Sequence, residues 1–154
     1  MSNAIAIILH LLAINVWIGG TFFSVMVLPH ALTALTPAEK HRLSLHILHH
    51  YFIWVWLAIV LVIASGGWMA THVFGSFQHL PTYVIVMISI AVTMMVVFMF
   101  MFFGPYRHYR RAEQAEDLTA CEHYLGQVRL LSKINMFLGI GVLVAIGTGL
   151  YLMA

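Results

Sequence analysis

Ten histidines are spread through the 154 residues of the chain, and imidazole is the side chain best suited to ligate a transition metal or move a proton near neutral pH. His10 is the most informative of them. It lies about two turns inside an apolar run that continues through Trp17, Gly19 and Gly20 to Leu28, where an ionisable group is costly and is expected to face a bundle interior. His72 closes a second apolar run, and two neutral imidazoles on facing helices can hold a haem iron from both sides. His10 is therefore read as an axial ligand of haem iron, His72 as its partner at similar depth, and Met69, one turn earlier, as the substitute for His72. Trp17, Gly66 and Gly149 are read as pocket residues. Ser65-Gly66-Gly67 and Gly147-Thr148-Gly149 leave space for a flat macrocycle on this reading, and allow close helix packing on the ordinary one.

A second set, His30, His41, His46, His49 and His50, follows the first apolar run. His46 and His50 are four apart and share a helical face, a spacing that suits a metal bound by imidazole; a solvated stalk with histidines near the headgroups accounts for them equally well. His30 is twenty residues from His10, about 30 Å along a helix, so the two cannot serve one site. The third apolar run holds Met87, Met94, Met95, Met99 and Met101. Thioethers suit Cu(I), but methionine is also the ordinary filler of irregular apolar gaps. The apolar runs contain no nucleophile with its base, no phosphate-binding glycine loop and no paired carboxylates, which argues against hydrolytic and phosphoryl-transfer chemistry.

The elements that must position these groups are membrane helices. The chain is 62% hydrophobic and 8% charged, against roughly 25% charged for soluble domains. Apolar runs at 4–28, 51–73, 82–103 and 134–153 each approach the ~20 residues that cross a bilayer as a helix. The expected fold is an all-α integral membrane bundle of four transmembrane helices in a single domain, with the first run kept as a helix rather than cleaved as a signal. All seven Lys and Arg residues lie between runs one and two or between runs three and four, or at the start of run four. The positive-inside rule then places both termini outside. That basic collar, not nucleic-acid binding, accounts for the sequence pI of 8.9. Cys121 is the only cysteine, so neither a disulfide framework nor a thiolate cluster is available.

Thr36-Pro37-Ala38-Glu39 has the form of a capping box with proline at the first helical position, and Thr119-Ala120-Cys121-Glu122 repeats it. Both precede their apolar runs by many residues, which predicts cytoplasmic helical extensions on helices two and four. Gly104-Pro105 is expected to end or kink helix three, with a polar helical extension over 106–117. The offset of 83 between the boxes also aligns Trp54 with Phe137 and Ser65-Gly66 with Thr148-Gly149, a weak internal duplication of two hairpins. The histidines break it, because His10 then meets Thr93 and His50 meets Lys133.

His10-Leu-Leu-Ala-Ile-Asn-Val-Trp17-Ile-Gly19-Gly20, followed by Phe22-Phe23 and Leu28-Pro29, resembles the first span of the copper-resistance D (CopD) family. Ser65-Gly66 stands where that family often has a small residue and glycine. The resemblance implies a bacterial inner-membrane protein linked to copper handling. The same histidine, tryptophan and Leu-Pro elements also resemble the HemJ-type protoporphyrinogen oxidases, four-span haem b proteins, and that similarity implies iron ligation by His10. Residues and resemblance together lead to an expected haem b protein of the bacterial inner membrane that transfers single electrons, with a quinone or a periplasmic protein as redox partner. Copper binding or translocation is the alternative, protoporphyrinogen oxidation a second one, and a structural subunit with incidental histidines a third. Homo-oligomerisation stays open.

Overall fold

The computed structural model of the protein describes residues 2–73, 75 and 80–153. Four helices are long and apolar enough to cross a membrane: α1 (Ser2–Ala31), α2 (Pro37–His72), α3 (Thr82–Gln114) and α4 (Leu118–Met153). The protein is a multi-pass, all-α membrane bundle. Residues 74 and 76–79, most of the segment between the second and third apolar runs, lie outside the described residues.

Each helix buries one stripe and turns the rest of its apolar surface outward. On α1 the buried stripe is Ala6, His10, Ala13, Trp17 and Thr21, at the three-to-four-residue spacing of one helical face. Ile5, Ile8, Leu12 and Phe22 are exposed around it, as a lipid-facing surface requires. On α2 the stripe runs from His41 through Ser44, Leu48, Phe52 and Val55 to Val62 and Ser65. At 36 residues, α2 is about 54 Å long, well beyond the ~30 Å of hydrocarbon. Its first turns, like those of α4, therefore stand outside the membrane at the end that carries the basic residues.

Thr36 caps α2 as expected: its side chain accepts from the Glu39 amide and Glu39 reaches back to the Thr36 backbone. The second box is not used. Asp117 caps α4 instead, its Oδ1 accepting from the Ala120 amide at 3.0 Å, and Thr119 and Glu122 fall inside the helix. The caps are thus 81 residues apart rather than 83. Glu122 is drawn to the stalk of α2, where Lys40 Nζ donates to it at 2.5 Å. The buried His41 beside it bonds to α3: Tyr109 donates its hydroxyl proton to the His41 carbonyl at 2.8 Å, leaving the phenol oxygen to face His41 Nδ1 at 3.3 Å.

Gly104-Pro105 does not end α3. Proline removes one helical hydrogen bond and crowds the preceding turn, and the wider π-helical turn Phe102–Tyr106 absorbs the defect so that the helix continues to Gln114. Pro29 is handled the same way by the π-helical turn Phe23–Val27.

The four helices are arranged as two hairpins. α1 lies along α2 and α3 along α4, while the backbones of α2 and α3, consecutive in the chain, stay apart along their apolar parts. In the half nearer the basic end, aromatic rings fill this separation. Phe52 meets Phe98 at a ring-centroid distance of 5.4 Å and Tyr106 at 4.8 Å, and Trp56 meets Phe98 at 5.6 Å. Edge-to-face contacts of this kind hold large rings in fixed orientations. α4 closes against α1 at Gly139, where a β-carbon would come within 3.0 Å of the Ile18 side chain. Nothing of comparable bulk fills the other half, and a cavity results.

Candidate functional site

The cavity has a volume of about 560 Å³, within the range of ligand and cofactor pockets. All four helices contribute walls: His10, Ile14 and Trp17 from α1, Val62, Gly66 and Met69 from α2, Met87, Ala91 and Met95 from α3, and Val142 and Ile146 from α4. It explains a break in the burial pattern of α3. Between Val84 and Met94 no residue of that helix is buried, because positions 87 and 91, which the helical repeat would bury, border open space.

His10 is buried, at 8% exposure, and its environment fixes its tautomer. Ser65 has a single hydroxyl proton and donates it to the Leu61 carbonyl at 2.5 Å. The Ser65 oxygen, 2.9 Å from His10 Nδ1, is then an acceptor, so the proton of the neutral imidazole resides on Nδ1. Nε2 keeps its lone pair, and the hydrogen bond of the ring to Ser65 runs through Nδ1. This is the arrangement by which an outer hydrogen bond orients a metal-ligating histidine. Gly66 completes it, since a β-carbon there would stand 3.4 Å from Cε1 of His10 and any longer side chain would enter the space before the ring.

Trp17 forms the floor. It lies two turns from His10 on the same face of α1 and meets Phe98 edge to face at 6.4 Å. Met69 is on the wall, one turn beyond Gly66. Gly149 is elsewhere: a β-carbon there would come within 2.5 Å of Tyr83, so this glycine lets α4 approach α3 and leaves no room for a ligand.

The structure does not bring His72 to His10. The α1–α2 register is set by the His10–Ser65 bond and by Trp68 Nε1 donating to Asn3 Oδ1 at 3.2 Å. His72 is seven residues past Ser65, about 10 Å nearer the end of the helix, exposed and stacked on Trp68 at 3.9 Å. Apolar-run boundaries place a residue in depth only to within a turn or two, which is why the sequence set the two histidines level. His46 and His50 do come together, with ring centroids 4.5 Å apart, and His50 Nδ1 donates to the His46 carbonyl at 2.9 Å. Both are exposed. Among the described residues no group of three or more His, Cys, Asp or Glu side chains is gathered to hold a metal ion.

Two contributors escape a reading of the sequence. Ser65 stands out there as a small residue, not as the partner of His10. Of the methionines on α3, the heptad pattern groups Met87, Met94 and Met101, whereas the cavity takes Met87, Met94 and Met95, and Met101 accepts a hydrogen bond from Ser132 instead. The chain matches no protein-family model, no curated protein and no solved structure.

Proposed function

We propose that the protein binds haem b in the cavity between the hairpins and takes part in one-electron transfer within the membrane. One observation carries this reading: a buried imidazole, its Nδ1 proton committed to Ser65 and its Nε2 left to accept, lines an apolar space of cofactor size. Left without a ligand, such a nitrogen would be a polar group in hydrocarbon with no compensation. Haem supplies the redox step when bound. The residues of this chain hold it through His10, fix the ring plane of that histidine through Ser65, and exclude water with the Trp17 floor and the aliphatic walls. Met69 takes the place of His72 as the candidate second ligand, because it lines the cavity. The proposed setting is a bacterial inner membrane, with a quinone or a periplasmic protein as redox partner.

The test is the visible spectrum of the detergent-purified protein made with ample haem supply. The wild type should show a Soret band with one haem per chain, and His10→Ala should lose it while still inserting in the membrane. Absence of the band from the wild type would sink the proposal.

A second reading draws on the same walls. Met69, Met87, Met94 and Met95 line the cavity together with His10, and thioether and imidazole ligands suit Cu(I). Stoichiometric copper in the purified wild type, lost on substitution of Met94 and Met95, would favour copper handling over haem.

A further inference from the structure

At the basic end, α2 and the polar extension of α3 enclose a second hollow of about 510 Å³. Arg42, His46 and His49 project into it from one face of α2, and Tyr106, Arg110 and Glu113 from one face of α3, in each case at the spacing of successive helical turns. At the end nearer the apolar span, Tyr106 and His49 approach each other, phenol oxygen to Nδ1, at 3.3 Å. The hollow lies just beyond the point where the apolar runs of both helices stop, which is the level of the phospholipid headgroups.

Its charges are uncommitted. The ion pairs among the described residues both involve Glu122, with Lys40 and with His41. Neither Arg42 nor Arg110 has a carboxylate within ion-pairing distance. The carboxylate of Glu39, at the mouth of the hollow, is occupied by the Thr36 amide and hydroxyl. Glu113 has no such partner. Two guanidinium groups, each able to bind a phosphate through paired N–H donors, and the unpartnered carboxylate of Glu113 therefore share the cleft with the capped, still anionic Glu39. A purely anionic ligand would satisfy the arginines and leave Glu113 opposed by like charge. A ligand that carries both a phosphodiester and a primary ammonium satisfies all three groups.

We propose that this cleft is a binding site for the headgroup of an amine-bearing phospholipid of the phosphatidylethanolamine type, with the phosphodiester between Arg42 and Arg110 and the ammonium toward Glu113. Basic pockets between membrane helices on the cytoplasmic side are a recurrent form of lipid recognition. The added carboxylate here supplies selectivity among headgroups. The site is separate from the cavity at His10 and does not depend on what that cavity binds.

The experiment is native mass spectrometry of the intact protein in detergent, offered equal amounts of phosphatidylethanolamine, phosphatidylglycerol and phosphatidylcholine. The wild type should retain phosphatidylethanolamine over phosphatidylcholine by about tenfold, the ratio that one well-made polar contact provides. Arg42→Ala combined with Arg110→Ala should lower retention of every phospholipid to background, with helical content unchanged by circular dichroism. Glu113→Gln should bring the ethanolamine and choline lipids to equal retention while both still bind. Unchanged retention in the double arginine variant overturns the site, and unchanged headgroup preference in Glu113→Gln overturns its selectivity. Displacement of bound lipid by excess inorganic phosphate would assign the cleft to free phosphate and overturn the lipid reading.

Discussion

His10 Nδ1 and Ser65 Oγ lie 2.9 Å apart, and this bond joins α1 to α2 at the only point where a histidine of the described residues borders the large cavity. Because Ser65 passes its own proton to the Leu61 carbonyl, the bond decides which ring nitrogen of His10 faces the open space.

Ser65→Ala should therefore weaken cofactor binding without abolishing it. Loss of such an outer hydrogen bond typically costs 10–100-fold in affinity. Titration of the apoprotein with haem, followed at the Soret band, measures the change. An unaltered affinity would mean that Ser65 serves packing alone.

The two candidates for a second ligand separate cleanly. His72 is exposed and stacked on Trp68, so His72→Ala should leave the spectrum of the bound protein unchanged. Met69 lines the cavity, and Met69→Leu, which conserves volume, should shift the visible bands or loosen the haem. A shift with His72→Ala and none with Met69→Leu would reverse the assignment.

Gly149 supplies a test of packing alone. A methyl group there would overlap Tyr83, at Cβ and Cγ atoms that cannot swing aside, and overpacking of this kind costs roughly 1–3 kcal/mol. Gly149→Ala should lower the thermal midpoint in detergent while the cavity still takes up its ligand. A loss of ligand with unchanged stability would return Gly149 to the pocket.

Orientation rests on the seven basic residues gathered at one end. Reporter fusions after residue 154 and within 74–81 should register the outer compartment, and fusions near residues 40 and 115 the cytoplasm. An inward C-terminus would place the His10 cavity in the inner half of the membrane and the phospholipid cleft on the outer face.

The four spans and their polar helical extensions were legible in the sequence because they follow from apolar length and cap chemistry, both local. Thr36 caps as its neighbours dictate. Asp117 displaced Thr119 because two good capping residues stood two positions apart, and the turn before α4, where Glu116 adopts a positive φ of 55°, favours the earlier one. The burial of His10 was also legible, since an imidazole deep in an apolar run has few other places to go. The position of His72 was not. Helix register depends on particular contacts between helices, here His10 with Ser65 and Trp68 with Asn3, and no periodicity along one helix contains it. The same holds for Gly149 against Gly66: the two glycines look alike in sequence, and one meets a histidine while the other meets a tyrosine.

The aromatic layer of Phe52, Phe98 and Tyr106 has a mechanical consequence. With Gly139 against Ile18 at a similar level, it clamps the hairpins together on one side of the cavity, and beyond it the two pairs of helices extend like the arms of a pair of tweezers. From Phe52 to Gly66 is about 21 Å of helix, so a pivot of about 5° at the clamp would move the far wall by about 2 Å over that length. Whatever occupies the cavity thus bears on the spread of the arms, and its arrival or loss would be felt at the helix ends farthest from the basic residues.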